Sequence, residues 1–140
     1  HLPLDEPFPD TDTPTAHVLL EPSIVYSPAV VNLLARVQPH GLAHITGGGL
    51  PGNVIRVLPE GTRAVIERSR WDVPHVFQVL QRVGEVPIGD MFRTFNMGIG
   101  FTVVVPEGDV DATLKAFDVS DVPATVIGHV TEGERGVEIR

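Results

Sequence analysis

The sequence predicts an α+β domain in which a mixed β-sheet is covered by helices. Three observations lead there. Runs of β-branched and apolar residues, such as IGFTVVV at 99–105, alternate with stretches whose apolar residues recur at helical spacing. Gly and Pro punctuate the joints between them. None of the connections has the length and regularity of the crossovers in a doubly wound parallel sheet. A chain of 140 residues suits one domain, burying roughly 70% of its unfolded surface.

Taken in order, residues 1–17 hold Pro3, Pro7, Pro9 and Pro14 among Asp5, Glu6, Asp10 and Asp12. Proline fixes φ and removes a donor, and so polar a stretch offers little to bury, so this segment is read as an extended linker and 18–140 as the domain. Ser27-Pro28 has the form of an N-cap followed by proline at the first helical position. Val30, Leu33, Leu34 and Val37 then share one helical stripe, which Pro39 ends. Residues 41–46, GLAHIT, read as a strand opening into Gly47-Gly48-Gly49, with a brief helix from Pro51 and a second strand at 64–67. Asp72 is placed to cap a helix carrying Val73, Val76, Phe77, Leu80 and Val83 on one face, and Gly84 to stop it. Residues 99–105 form the clearest strand, ended by Pro106. Val110, Leu114 and Phe117 mark another amphipathic helix. Residues 123–130 and 136–140 read as two closing strands with a Glu-Gly turn between them.

Composition removes several classes of function. There is no cysteine, which excludes disulfide frameworks, thiolate zinc sites, iron–sulfur clusters and cysteine nucleophiles. Ten Lys+Arg against 18 Asp+Glu leave a net charge of −8. That argues against broad nucleic-acid or anionic-membrane binding, since both need a positive face. No apolar run approaches the ~20 residues of a membrane span. The proline-broken, acidic start is no secretory signal, and with no initiator Met it reads as the interior of a longer protein. The expectation is a soluble, cytosolic polypeptide.

The chemistry concentrates in two segments. In HGLAHITGGGLPG, residues 40–52, three consecutive glycines have no side chains to fill a core, and each costs entropy to order. At a strand end leading into a helix they can aim several N–H groups at one anion, with the Thr46 hydroxyl beside them. Thr46, Gly47, Gly48 and Gly49 are therefore a candidate phosphate cradle. The segment lacks the Gly-Lys-Ser/Thr ending of a P-loop and the spacing of a dinucleotide fingerprint. The plainer alternative is a tight turn whose glycines only avoid clashes. Strand alternation puts Leu42, His44 and Thr46 on one face, with Ala43 and Ile45 on the other. His44 then stands by the loop as a candidate proton shuttle or phosphoryl donor, against the alternative of a structural histidine.

The second segment is DMFRTFNMGIG, residues 90–100. Arg93 is a candidate phosphate fork and Asn96 a candidate to orient an amide or hydroxyl, while Gly98 and Gly100 leave room for a ligand or another backbone. Met91, Phe92, Phe95 and Met97 read as core. The remaining histidines, His1, His17, His40, His75 and His129, show no ligand spacing, so no metal site is expected from this chain alone. Glu132, Glu134 and Glu138 read as a solvated turn and edge, and Trp71 as core or interface. No serine sits in a nucleophile elbow.

With both segments in view, the sequence resembles the phosphoribosylformylglycinamidine cyclo-ligase (aminoimidazole ribonucleotide synthetase) family. The blocks GLAHITGGGLPGN, VLPEGTRAVIE, WDVPHVFQVLQ and MFRTFNMGIGFTVVVP occur in that family's order and spacing, from about Leu19 to the C-terminus. The resemblance implies the family's C-terminal-domain fold, with residues 1–17 leading from an N-terminal ATP-binding domain that lies outside this chain. It implies ATP and Mg²⁺ held mainly by that other domain, which also supplies most of a homodimer interface. The implied partners are a small ribonucleotide substrate, ATP and that N-terminal domain, with neither nucleic acid nor membrane. The implied reaction phosphorylates the formyl oxygen of formylglycinamidine ribonucleotide, after which the amidine-side nitrogen closes the imidazole ring. Position by position, Thr46 to Gly49 fall at the cleft, with His44 beside them and Asn96 and Gly98 nearby. The only lysine is Lys115, on an expected surface helix. The chain alone is therefore expected to lack a nucleotide site. Two alternatives stand beside this reading. One is the same domain from a related ATP-using enzyme (formylglycinamidine ribonucleotide synthetase, selenophosphate synthetase or thiamine-monophosphate kinase). The other is a non-catalytic phospho-ligand module.

Overall fold

The computed structural model describes residues 2–140. His1, read above as part of the linker and as a histidine without ligand spacing, lies outside them. The strands are β1 (Gly41–His44), β2 (Thr62–Ile66), β3 (Phe101–Val104), β4 (Gly128–Glu132) and β5 (Gly136–Ile139). The helices are α1 (Thr15–Leu19), α2 (Ser27–Leu34), α3 (Gly49–Val54), α4 (His75–Gly84), α5 (Ile88–Thr94) and α6 (Val110–Asp118). The α+β class and the mixed sheet expected from the sequence are both present, with one refinement. The strands divide into an antiparallel β1–β3 pair and a three-stranded sheet of order β4-β2-β5, in which β2 pairs antiparallel with β4 and parallel with β5.

That topology corrects the reading of the C-terminus. The two closing strands do not form a hairpin with each other; they flank β2 on opposite sides, and residues 123–127 are not strand. β2 is consequently the buried centre, with Ala64, Val65 and Ile66 all inaccessible. A continuous apolar run is what a strand covered on both faces requires.

Two clusters hold the fold together. The larger joins Ala43, Ile45, Leu50, Val54, Leu58, Ala64, Ile66, Met91, Phe92 and Met97, between the strands, α3 and α5. The smaller packs α2 on α6 through Ala29, Leu33, Ala116 and Phe117. On α2 the expected stripe is half right: Leu33 and Val37 are buried, whereas Leu34 is 52% exposed. Ala29 takes its place in the contact, because close approach of α6 needs a small residue there.

Three local readings shift. The helix expected from Asp72 begins at His75 after Pro74, whose missing N–H suits the position before the first turn. Its left-handed terminating residue is Glu85 (φ 51°) rather than Gly84. Residues 88–94, to which the sequence assigned no element, form α5, led in by Pro87 and burying Met91 and Phe92.

The largest difference lies at the N-terminus. The segment read as an extended linker folds back on itself, with Pro7 bridging Pro14. The Phe8 N–H donates to the Thr13 carbonyl at 2.8 Å and the Thr15 N–H to that of Glu6 at 2.9 Å. Phe8 is 1% exposed and Thr15 likewise. The Phe8 ring meets His75 edge-on at 6.0 Å, and His75 Nε2 lies 2.9 Å from the Pro9 carbonyl oxygen. A carbonyl only accepts, so that nitrogen carries the proton. Arg82 donates to the Asp10 carboxylate at 3.1 Å. Burial of the Phe8 ring, with the His75 and Arg82 bonds, docks this acidic, proline-rich stretch on α4.

Candidate functional site

The glycine loop leaves β1 directly. The expected alternation holds: Ala43 and Ile45 are buried in the core, while His44 and Thr46 are exposed on the opposite face. The Ile45 N–H donates to the Gly100 carbonyl at 2.9 Å, which extends the β1–β3 pairing one residue beyond His44.

The three glycines do different work. Gly47 and Gly48 are exposed, and their N–H groups donate to no acceptor among the described residues. Gly48 sits at φ 97°, a left-handed conformation that side-chain-bearing residues rarely adopt. Gly49 is buried, and its N–H is spent on the Thr46 carbonyl at 3.0 Å. A Cβ at Gly49 would overlap the Phe92 carbonyl oxygen and crowd that of Phe95. This glycine is therefore required where α3 crosses the end of α5, and the set of outward amides narrows to Gly47 and Gly48.

The carbonyls of the loop all face inward. The Gly48 oxygen accepts from the Gly52 N–H at 3.0 Å. The Asn53 side-chain amide donates to the carbonyls of Gly49 at 2.8 Å, Thr46 at 3.1 Å and Gly47 at 3.3 Å. Its own oxygen accepts a long 3.4 Å bond from the Thr46 hydroxyl. Asn53 is 3% exposed, and no buried side-chain polar atom among the described residues lacks a partner. Sequence reasoning missed Asn53. The available signal was a poor helix former on the face of α3 that also carries Gly49 and Leu50, four and three residues earlier, where an apolar residue is expected.

His44 stands on the exposed face of β1, two residues before Thr46. Its ring is flanked by Tyr26 (edge-on, centroids 5.9 Å apart) and Phe101 (tilted, 6.2 Å). Neither ring nitrogen is hydrogen-bonded among the described residues, so both face solvent or a ligand. Tyr26 also stacks on Phe101 at 5.4 Å, and partial burial holds its phenol above the ordinary range, keeping it protonated.

The second segment arrives differently from its expected role. Gly100 leaves space for the Tyr26 hydroxyl, and Gly98 (φ 98°) for the Pro74 ring, so this chain's own side chains fill the room those glycines provide. Asn96 Oδ1 accepts from the Gly98 N–H at 3.0 Å, closing the turn into β3. The carbonyl of Met97, a buried residue at φ 52°, accepts from the Trp71 indole at 2.9 Å. Arg93 is 70% exposed and its guanidinium is engaged by Asp90 one turn earlier. It lines a shallow depression with Arg68, Ile88 and Val137, and no hydrogen bond joins it to the glycine loop. Thr46, Gly47, Gly48 and His44 thus share one exposed region, while Arg93 and Asn96 serve their own helix and turn.

Among the described residues no three His, Asp or Glu side chains gather so as to hold a metal ion. Lys115 is exposed on α6. No helix among them is long and apolar enough to cross a membrane.

The fold defines the class of this protein as a two-sheet α+β domain with a glycine loop at the end of one strand. The chain belongs to the family described as AIR synthase related protein, C-terminal domain, whose model matches residues 4–140. It is 47% identical over 135 residues to the phosphoribosylformylglycinamidine cyclo-ligase of Anaeromyxobacter dehalogenans (strain 2CP-C), covering 96% of this chain and 39% of that protein. The protein of the same name from Caldicellulosiruptor bescii is 45% identical over 122 residues, covering 87% and 36% respectively. The chain therefore spans well under half the length of these relatives. In three dimensions it is similar to thiamine-monophosphate kinase from Stenotrophomonas maltophilia K279a, with a TM-score of 0.54 over 72% of this chain at 16% identity, a likeness of fold.

Proposed function

We propose that this chain is the C-terminal part of an ATP-dependent cyclo-ligase of purine biosynthesis, cytoplasmic and homodimeric in its full form. It would close the imidazole ring of formylglycinamidine ribonucleotide to give aminoimidazole ribonucleotide. The observation that carries the reading is the pair of undonated, outward amides at Gly47 and Gly48, in a chain 47% identical to a cyclo-ligase across 96% of its length. The chemistry explains why such a loop is useful. An oxygen leaving as oxide is a poor leaving group. Transfer of a phosphoryl group from ATP onto the formyl oxygen forms an O–P bond and releases ADP. Attack of the amidine-side nitrogen then forms the C–N bond, and the C–O bond breaks with the electron pair leaving on phosphate. Negative charge accumulates throughout on phosphoryl oxygens, where preorganised N–H groups stabilise it without reorganising.

In this scheme the N–H groups of Gly47 and Gly48 receive a phosphate, of substrate or nucleotide, and the Thr46 hydroxyl joins them by exchanging its long 3.4 Å bond to Asn53 for one to the phosphate. His44, flanked by aromatic rings with both nitrogens open, handles a proton during ring closure. ATP and Mg²⁺ belong to the remainder of the full-length protein, since a transferring phosphoryl group needs several cations and, among the described residues, the loop's side-chain hydrogen bonds all run to Asn53. The 140-residue chain alone is expected to show no ATP-dependent ring closure. Turnover matching a full-length relative would refute that division of labour.

The binding role is tested by titrating a phosphorylated ribonucleotide into the chain and its Gly48→Val and His44→Ala variants. A β-branched residue is strongly disfavoured at positive φ, so Gly48→Val must turn the loop peptides. Affinity is expected to fall at least about tenfold, ~1.4 kcal/mol, in Gly48→Val and to stay within about threefold in His44→Ala. Equal affinity for wild type and Gly48→Val would remove the loop from the site.

A further inference from the structure

We infer that Asn53 is the positioning residue that makes the glycine loop an anion receptor, an inference that rests on the phosphate-cradle reading above. The argument is a complete account of the loop's polar groups. Each carbonyl from Thr46 to Gly49 accepts a hydrogen bond from inside the protein, and three of the four take it from one side-chain amide. A glycine turn that served only to reverse the chain would have no need of this, because exposed carbonyls are satisfied by water. Drawing every acceptor inward leaves donors as the outward groups, and the loop becomes an electropositive rim on a chain of net charge −8.

The chemistry of the residue fits the task narrowly. Three carbonyl oxygens converge on one atom, so that atom must be the donating NH₂, and the surroundings fix the amide's orientation without ambiguity. Its two protons are shared among three acceptors, most closely with the Gly49 oxygen at 2.8 Å. The other end of the amide accepts a long 3.4 Å bond from the Thr46 hydroxyl. Aspartate matches the shape and keeps the acceptor, but would set a carboxylate oxygen against three carbonyls. Relief requires the Thr46–Gly47 or Gly47–Gly48 peptide to rotate, which carries an N–H inward and a C=O outward. Buried at 3% exposure, Asn53 touches no ligand itself and acts through the backbone.

The test follows the Gly47 and Gly48 amide resonances of the ¹⁵N-labelled chain during titration with inorganic phosphate, against sodium chloride at matched ionic strength. In wild type both amide protons are expected to move downfield with phosphate and not with chloride. In Asn53→Asp the phosphate response is expected to weaken at least about tenfold, while β2, β4 and β5 amides keep their wild-type positions. Those sheet amides report the fold. Where Asn53→Asp loses them, Asn53→Ser, which keeps a hydroxyl donor for one carbonyl, is compared instead and is expected to respond between the two. Two results overturn the assignment, and they differ. Wild type that ignores phosphate defeats the cradle reading itself. A folded variant at Asn53 with wild-type phosphate response leaves the cradle standing and removes Asn53 from it.

Discussion

Replacing Gly49 with alanine is expected to lower the melting temperature by about 10–20 °C, the largest effect of any single glycine in the loop. Two costs combine. The residue sits at φ 60°, where an L side chain costs about 1–2 kcal/mol. The new methyl also meets backbone rather than a flexible side chain, since it overlaps the Phe92 carbonyl and crowds that of Phe95. Neither can yield unless α5 moves, and overpacking of that kind costs about 1–3 kcal/mol or more. Overlap with a backbone carbonyl places the second cost at about 2–3 kcal/mol, so the sum, ~3–5 kcal/mol, converts to the stated shift for a domain of this size. Gly47→Ala is the internal control. Nothing lies within 4 Å of the added carbon and φ is not positive, so stability should change by less than about 0.5 kcal/mol. Calorimetric scans of both variants decide the matter, and equal melting temperatures would reject the division of roles within the triplet.

Phe8→Ala is expected to cost about 3–5 kcal/mol, the usual range for emptying a fully buried aromatic site. At 1% exposure Phe8 is the anchor of the N-terminal arm, and the surrounding bonds to Thr13, Pro9 and Asp10 are partly solvated and individually weak. The same substitution should open residues 4–14 to limited proteolysis before α4 or the sheets yield. A loose connecting segment would give neither result. A melting temperature within about 2 °C of wild type, with unchanged protease sensitivity, would return the arm to that description.

Both predictions turn on features that local pattern left open. Alternation along β1 correctly assigned Ala43 and Ile45 to the core and His44 and Thr46 to the outer face, because strand period is a property of the backbone. Helical spacing located α2, α4 and α6 for the same reason. On α2 it failed at Leu34, since only the position of α6 decides which part of the stripe is covered. Arg93 shows a different limit. An arginine near glycines is compatible with anion binding, and Asp90 lies one helical turn away from it only because residues 88–94 form a helix, which Pro87 leads in. Gly98 and Gly100 were expected to make room for a ligand or another backbone, whereas the side chains of Pro74 and Tyr26 occupy that room.

What the sequence determined by itself is short in range: the helical and strand periods, the glycine run at a strand end, and the ordered blocks that resemble one enzyme family. Tertiary structure alone decided that β5 lies parallel beside β2, that Phe8 docks an acidic arm, and that Gly49 serves packing while Gly47 and Gly48 face outward. The physical reason is that a backbone period repeats within a few residues, whereas the direction of a peptide dipole depends on which partner waits on each side. For this loop the partners are the buried amide of Asn53 and the end of α5, more than 40 residues away in the chain, and only folding brings them together.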